Sequence, residues 1–278
     1  LSLYWKMLSA IGKIKVIVLL VIMGGLKMIF WAMILLGCLL GFAGAGGAGL
    51  TITLLSVGFG VPIHTALGVA LAAMSFTMLS GAVSHFREGD VLLRLGLITG
   101  GAGMLGAFAG ARISDALPGD ILSKMTAALM LASSVLLYFI LFRKDMLDSF
   151  VAKHASKAEG ASFYAHALTI GVVTGFLSGA FGIGATAFIQ ISLMLFFGVS
   201  LYHAIGTTML VILPISVSGG LGYLVNGHLD FYIFLQTLGG LTIGAYLGAK
   251  LTRLASRNTL RYIVLSMPTI GGLMLLFK

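Results

Sequence analysis

The chain has 278 residues, of which 59% are apolar and only 9% are charged, and its net charge is +9. A water-soluble domain typically carries about 25% charged residues, so this composition excludes a protein whose surface mostly faces water. The basic residues lie in turns and at segment ends, without the interleaved aromatic residues of a nucleic-acid-binding stripe. Nucleic acid is therefore excluded as a partner, and a lipid bilayer is expected.

Continuous apolar runs predict an all-α integral membrane protein. A helix that crosses the hydrocarbon core needs about 20 apolar residues, so the chain has room for roughly eight to ten crossings. Membrane-spanning strands would instead alternate polar and apolar residues over about 10 positions, and the sequence does not show that pattern.

The N-terminal segment, 1–26, is basic and apolar. Lys6, Lys13 and Lys15 precede an apolar stretch at 16–26, which resembles the beginning of a signal peptide. No cleavage site of the small-x-small type follows, so we expect a membrane segment that is retained.

The sequence repeats itself at a constant offset. Residues 37–46 (GCLLGFAGAG) resemble residues 175–184 (GFLSGAFGIG), an offset of 138 (175 − 37). The same register continues without a gap to 106–112 (GAFAGAR), which corresponds to 244–250 (GAYLGAK). A register kept over this length indicates two related structural units rather than chance matches between glycines.

The repeat divides the chain into two membrane halves, 27–142 and 164–278, joined by a polar linker at 143–163. Each half is expected to begin with a glycine-interrupted segment and to continue with three ordinary spans. These are 28–60, 62–84, 91–112 and 121–142 in the first half, and 164–199, 201–225, 229–250 and 258–277 in the second.

Basic residues predict the orientation, because they concentrate in cytoplasmic loops. The linker and the turn at 250–261 are basic and are expected inside, whereas the turn at 226–230 has no Lys or Arg and is expected outside. The two basic loops share a side only if the glycine-interrupted segment folds back on itself. The corresponding turn of the first half, 85–94, is basic and therefore inside, so the two halves are predicted to be inverted repeats.

Glycine clusters interrupt the apolar runs at 44–49 and 182–187. In lipid, a helix break is tolerated only where its backbone groups are buried in protein or line a wet cavity. A helix that restarts there exposes N–H groups with about half a positive charge, and such ends bind anions. Broken helices at matching places in two halves indicate a transporter site, and close helix packing is the alternative explanation of the glycines.

The candidate substrate-binding residues combine these glycines with polar side chains on nearby spans. A bond to the preceding helical turn is the alternative role for the Ser and Thr residues, and an interhelix bond is the alternative for the Gln190 amide. The set comprises Gly44, Gly46, Gly47, Ser80, Gly182, Gly184, Thr186, Gln190, Thr207, Thr208 and Ser218.

No catalytic, metal or cofactor motif is recognisable. The acidic residues fall almost entirely in turns, and neither glycine cluster continues into the Gly-Lys-Ser/Thr of a nucleotide-binding loop. Cys38 is the only cysteine, so no intrachain disulfide can form. We expect a non-enzymatic protein in which any active transport uses an ion gradient.

Three features resemble the TauE/SafE sulfite exporter family, also called the toluene-sulfonate uptake permease family. They are the glycine cluster of each half, the segments 66–70 (ALGVA) and 204–208 (AIGTT), and the segment 80–91 (SGAVSHFREGDV) that continues to 106–112. The resemblance implies transport of a small sulfur-containing anion across the prokaryotic cytoplasmic (inner) membrane: sulfite, thiosulfate or an organosulfonate such as sulfoacetate.

The expected function is therefore secondary transport by alternating access, with the anion held between the two glycine breaks. Two alternatives remain open: an anion channel of the same fold, and a membrane assembly subunit that moves no anion. The expected partners are the bilayer and a small anion, and a homodimer is left open.

Replacing Gly46 or Gly184 with a bulky residue such as leucine should abolish transport while the protein is still expressed, because the side chain would block the exposed N–H groups. Flux is measured in proteoliposomes, and expression is measured in the membrane fraction. Normal flux through such a variant would count against a site at the breaks.

Overall fold

A computed structural model gives the fold and describes residues 28–40, 48–143, 149, 160–183, 185–252 and 257–278. Side chains are described for these residues except 80, 84, 249–252 and 257–260. The predicted N-terminal segment, the first glycine break and most of the linker lie outside the described residues.

The described residues form helices and no strand, which confirms the predicted all-α fold. Residues 54–58 at the end of α2 make a π-helical turn. The helices are α1 (Met28–Leu40), α2 (Ala48–Gly58), α3 (Ile63–Glu88), α4 (Leu93–Ser114), α5 (Gly119–Phe142), α6 (Ala161–Phe181), α7 (Thr186–Phe197), α8 (Leu201–Val225), α9 (Phe231–Thr252) and α10 (Arg257–Leu276).

Six helices, α3 to α6, α8 and α9, are long and apolar enough to cross a membrane. This number is below the eight to ten crossings that the length allows. Among the described residues, α1, α2 and α7 are short apolar helices, and the apolar part of α10 is only Arg261–Leu276. The lower number of crossing helices has a physical reason in the case of α7. This helix follows directly on a break at which the chain reverses, so it does not have to cross the full bilayer.

The central helices of the bundle are α3 and α8. In the most apolar 18-residue stretch of each helix, 65% of the residues are buried in α3 and 56% in α8, compared with 28% in both α5 and α9. The outer helices consequently expose apolar side chains such as Ile121 and Leu235. Exposed apolar side chains on helices of this length are what a lipid-facing surface requires.

The helices of the two halves begin at matching positions. Helices α2, α3, α4 and α5 begin at residues 48, 63, 93 and 119, and α7, α8, α9 and α10 begin at 186, 201, 231 and 257. The offset is 138 in each pair (186 − 48), the same offset that the glycine pattern shows.

The first helix of each half packs against a helix of the other half. A Cβ on Gly106 of α4 would lie 2.2 Å from the Val172 carbonyl oxygen on α6, and a Cβ on Gly244 of α9 would lie 2.1 Å from the Ile34 carbonyl oxygen on α1. Each contact is the image of the other when the repeat positions are exchanged. Glycine lets the backbones approach this closely, which stabilises helix pairs in a bilayer where lipid provides no hydrophobic drive.

Repeat-related helices run in opposite directions in the described structure. The start of α3 lies beside the end of α8, where a Cβ on Gly68 would be 3.2 Å from the His228 carbonyl oxygen. The start of α8 lies beside the end of α3, where a Cβ on Gly206 would be 2.7 Å from the Asp90 carbonyl oxygen. Helices α3 and α8 are therefore antiparallel.

We name the two ends of the bundle by the elements that lie there. The linker end holds the α3–α4 turn, the end of α5 and the starts of α6 and α8, and there Arg94 lies 5.3 Å from the ring centroids of Phe163 and Tyr164. The far end holds the start of α3, the α4–α5 turn and the α8–α9 turn. Each long helix can thus be assigned a direction from one end to the other.

Gly106→Ala should destabilise the protein, because its Cβ would meet backbone atoms that cannot move aside. Overpacking of this kind typically costs about 1–3 kcal/mol. Gly101→Ala in the same helix is the matched control, because no atom lies within 4 Å of its Cβ. The melting temperature of the detergent-purified protein should fall only for Gly106→Ala, and equal melting temperatures for the two variants would contradict the described packing.

Candidate functional site

The second glycine cluster interrupts the helix at 182–185. Helix α6 ends at Gly182, which has a φ of +67° and donates its N–H to the Ser178 carbonyl oxygen at 2.7 Å. This left-handed conformation favours glycine. A Cβ at Gly182 would also lie 2.5 Å from Cδ2 of Leu67. Both the turn and its packing therefore require glycine at this position.

Helix α7 restarts without a side-chain cap. Ala185 precedes it with a φ of +47° and is the only described residue other than glycine with positive φ. Ala185 has no side chain that could cap the helix, so the first N–H groups of α7, beginning at Thr186, receive no bond from this position. The partial positive charge of these amides makes the start of α7 an anion-attracting end.

The broken segment folds back as the basic loops predict. Helix α6 packs parallel to α4 and so runs from the linker end towards the far end, as the approach of Gly171 to Thr99 and of Gly179 to Ala107 requires. Helix α8 begins at the linker end, so α7 must return there. The described part of the second half thus contains a re-entrant pair.

A cavity of about 280 Å³ lies beside the break, between α7 and helices α2, α3, α5, α8 and α10. Its walls are largely apolar, and four helices each contribute a methionine: Met78, Met130, Met209 and Met267. Methionine is flexible and polarizable, so such walls adapt to ligands of different shape.

Three neutral polar side chains line this cavity: Ser133, Thr186 and Gln190. Gln190 is only 7% exposed and has no hydrogen-bond partner among the described residues. A buried amide without partners is costly, so a polar group of a ligand or water is needed beside it. Sequence reasoning missed Ser133, because it lies in the ordinary apolar span α5 without any distinguishing motif.

The described lining contains no charged residue and no histidine. Helix α10 adds a backbone acceptor, the carbonyl of Val264, which receives no helical hydrogen bond because Pro268 has no N–H. Both residues line the cavity. Attraction for an anion must therefore come from neutral donors and helix dipoles rather than from a side-chain cation.

The cavity extends from the break towards the linker end. Gly49 and Thr186 lie at its inner part, whereas Leu141 and Leu201 are at the end of α5 and the start of α8. Ile183 lines it on the side of the break. The lining of the cavity therefore reaches from the break to the linker ends of α5 and α8.

The structure brings together only some of the predicted site residues. Thr186 and Gln190 line the cavity, and Gly182 forms the break beside it. Gly44, Gly46, Gly47, Gly184 and the side chain of Ser80 lie outside the described residues.

The remaining predicted polar residues lie away from the cavity. Thr207 Oγ1 accepts a hydrogen bond from the Leu92 amide at 3.0 Å, and Ser218 Oγ donates to the Met104 carbonyl at 2.8 Å. Thr208 is fully buried and has no hydrogen-bond partner among the described residues. In this arrangement Thr207 and Ser218 fasten α8 to its neighbours, the interhelix role that polar side chains commonly have in membranes.

A second polar group lies at the linker end, outside the cavity. The ligating atoms of His85, Glu88 and Asp90 lie within 4.8 Å of one another, and His85 is 3.7 and 3.8 Å from the two carboxylates. The Glu88 side chain is 58% exposed. The group therefore lies at a solvent-exposed end of α3.

Comparison with known proteins identifies relatives over most of the chain. A family model described as Sulfite exporter TauE/SafE matches residues 29–275. The probable membrane transporter protein YdhB of Bacillus subtilis (strain 168) is 44% identical over 252 residues, 90% of this chain and 100% of that protein. A probable membrane transporter protein of Xylella fastidiosa (strain 9a5c) is 28% identical over 219 residues, 78% of this chain and 81% of that protein. No solved structure matches the chain.

Ser133→Cys should react rapidly with a small water-soluble thiol reagent when the native Cys38 is replaced by serine, because Ser133 lines the cavity. Ser134→Cys is the matched control, since Ser134 is 6% exposed and its Oγ donates to the Met130 carbonyl at 3.0 Å. Labelling rates are compared by mass spectrometry on the folded protein. Equal rates at the two positions would contradict a cavity on the Ser133 side of α5.

Proposed function

Because the chain belongs to the sulfite exporter TauE/SafE family of membrane transporters, we propose that it moves a small sulfur-containing anion across the cytoplasmic membrane by alternating access. The family and the relatives described above are named as transporters rather than enzymes. The substrates proposed are sulfite, thiosulfate or an organosulfonate such as sulfoacetate.

The observation that carries the proposal is the combination of an uncapped helix start with an unpartnered amide in one cavity. Thr186 begins α7 and Gln190 follows one turn later, both on the cavity wall. Oxyanions such as sulfite and sulfonates accept several hydrogen bonds, and backbone N–H groups at a helix start are suited to donate them. A neutral ligand would leave the positive end of the α7 dipole uncompensated.

Inverted repeats are the second part of the proposal. The common offset of 138 between helix starts and the antiparallel packing of α3 and α8 support it, because repeat-related helices then cross the bilayer in opposite senses. In transporters built this way, rocking of one half against the other exposes a midplane site alternately on the two sides. A cavity that extends from the break towards one end of the bundle fits one state of such a cycle.

The basic residues support a cytoplasmic position for the linker end. Arg87, Arg94 and Arg143 lie at this end, and the α8–α9 turn at the far end has no Lys or Arg between 226 and 230. The cavity would then extend towards the cytoplasmic side. The proposed domain limits are 27–142 and 164–278, and the first helix of the second half begins three residues before its limit, at Ala161.

Flux through the purified protein in liposomes tests the function. Radiolabelled sulfite, thiosulfate and sulfoacetate are offered singly, with and without a proton or sodium gradient. Saturable uptake that a gradient drives supports a secondary transporter. Ohmic current without coupling would instead indicate an anion channel, and the absence of flux for every anion would reject transport of this class.

Gln190→Leu should raise the substrate KM about 10- to 100-fold, because a hydrogen bond to a charged group is worth about 1.5–3 kcal/mol. Gln236→Leu is the matched control: Gln236 is a half-buried amide on α9, and it is not among the described residues that line the cavity. Initial uptake rates are measured over a range of anion concentrations. An unchanged KM in Gln190→Leu, with equal amounts of folded protein, would reject this residue as a substrate ligand.

A further inference from the structure

At the far end of the bundle, side chains from two helices bind the C-terminal end of α4. His64, at the start of α3, donates from Nε2 to the Ser114 carbonyl at 3.1 Å. Asn226, at the end of α8, donates from Nδ2 to the Ala111 carbonyl at 3.1 Å. The last carbonyls of a helix lack helical partners and carry partial negative charge, so these donors both satisfy the backbone and join the three helices.

An ion pair and a ring contact lie directly beside these bonds. His228 Nε2, on the α8–α9 turn, is 2.5 Å from Asp115 Oδ1 at the end of α4. The His64 and His228 rings stack with their centroids 5.0 Å apart. The side chains of His228 and Asp115 are 30% and 47% exposed, so protons from the solution on this side reach them.

The same cluster is connected to the helix break. Tyr223 is fully buried on α8, and its hydroxyl donates to the Ala180 carbonyl at 3.2 Å. The Ser114 hydroxyl, next to Asp115, lies 2.9 Å from both the Tyr223 hydroxyl and the Ala111 carbonyl, and it can donate its one proton to either. Ala180 lies two residues before Gly182, so Ser114 and Tyr223 connect the end of α4, next to the exposed pair, to the end of α6 beside the cavity.

Two positions that the repeat relates to this cluster lie at the linker end. Positions 85 and 90 correspond to 223 and 228, and they hold His85 and Asp90. His85 Nδ1 and Asp90 Oδ2 are 3.8 Å apart, which is beyond hydrogen-bonding distance. Asp115 corresponds to position 253 (115 + 138), which lies outside the described residues, so the linker end has no described counterpart of the His228–Asp115 pair.

We propose that His64, Asp115 and His228 form a proton-sensitive latch that holds the far end closed, so that the pH on that side controls its opening. The inference rests on the proposed alternating access, because only a bundle that opens at both ends has to break these bonds during its cycle.

The direction of the pH effect follows from the groups that face His228. Asp115 of α4 lies 2.5 Å from His228 Nε2, whereas the ring centroid of His64 of α3 is 5.0 Å from that of His228, so attraction to the carboxylate outweighs repulsion between two protonated rings. Histidine side chains change charge between about pH 5 and 8, and protonated His228 makes a charge-assisted bond to the carboxylate. Acidification from about pH 8 to pH 6 therefore tightens the latch and slows opening.

The other charged groups nearby do not change this sign. Asp230 on the same turn is exposed, and its carboxylate accepts from the amides of Tyr232 and Ile233 at 2.8 and 3.0 Å, so it caps α9. Arg112 and Asp120 are exposed on the neighbouring helices α4 and α5.

The test measures the accessibility of Leu67→Cys in a Cys38→Ser background. Leu67 is fully buried, one turn after His64, and it contacts the break at Gly182. Purified protein in lipid nanodiscs, with no anion added, is labelled with a bulky water-soluble maleimide between pH 6 and 8. The labelling rate is measured with native His228 and with His228→Gln. Dividing the second rate by the first at each pH cancels the intrinsic pH dependence of the thiol.

We expect the rate in His228→Gln relative to the native residue to rise about two- to fivefold from pH 8 to pH 6, the size expected of a partly exposed ion pair. Asp115→Asn should behave similarly and serves if His228→Gln is poorly folded. His166→Gln is the control, because His166 is on α6 at the linker end, with Nδ1 2.8 Å from the Ser162 carbonyl, and its ratio should stay constant.

A ratio that is independent of pH for both latch variants would overturn the proposal, and so would an equal change in His166→Gln. Because no anion is present, the outcome is separate from the flux measurements. A pH-dependent ratio without anion flux would support the latch and reject the transport function. Anion flux with a constant ratio would support the transport function and reject the latch.

Discussion

The structure depends on one constraint of the bilayer: a backbone amide that leaves a helix must find another partner, because lipid offers none. The break after Gly182 releases the first amides of α7 deep in the bundle, and Ala185 cannot cap them. The surrounding helices enclose that point and leave a cavity beside it with neutral donors on its wall. A feature that would be a defect in an ordinary transmembrane helix thereby becomes a place where an anion can be held.

Close glycine contacts determine which helices are joined in pairs. In a bilayer, helices associate through packing and hydrogen bonds, and glycine allows the shortest approach. Helix α4 is joined in this way to α6 of the other half, and α9 is joined to α1. The two halves are therefore interlocked, and a rocking motion would carry paired helices from both of them. The contact between α3 and α8, with polar groups at each end, is where such a motion would be resisted or released.

The neutral cavity has a consequence for selectivity. A Lys or Arg in the described lining would bind a doubly charged anion tightly and release it slowly, whereas helix-end amides and an unpartnered Gln190 provide a weaker field. Methionine side chains from four helices leave room for an apolar group beside the anionic one. These properties fit a carrier that must both bind and release its substrate in each cycle.

The sequence by itself determined the membrane class, the all-α fold, the twofold repeat of helix starts and the location of the second break, because these follow from apolar run length and from glycine at a fixed offset. The sequence also predicted Thr186 and Gln190 as residues of the site, since both follow the break within about one helical turn. Only the tertiary structure could place Ser133 in the cavity and move Thr207 and Ser218 out of it, because the direction in which a side chain faces between packed helices depends on distant contacts. The meeting of His64, Asp115 and His228 is decided in the same way, by antiparallel packing of helices that are far apart in the chain.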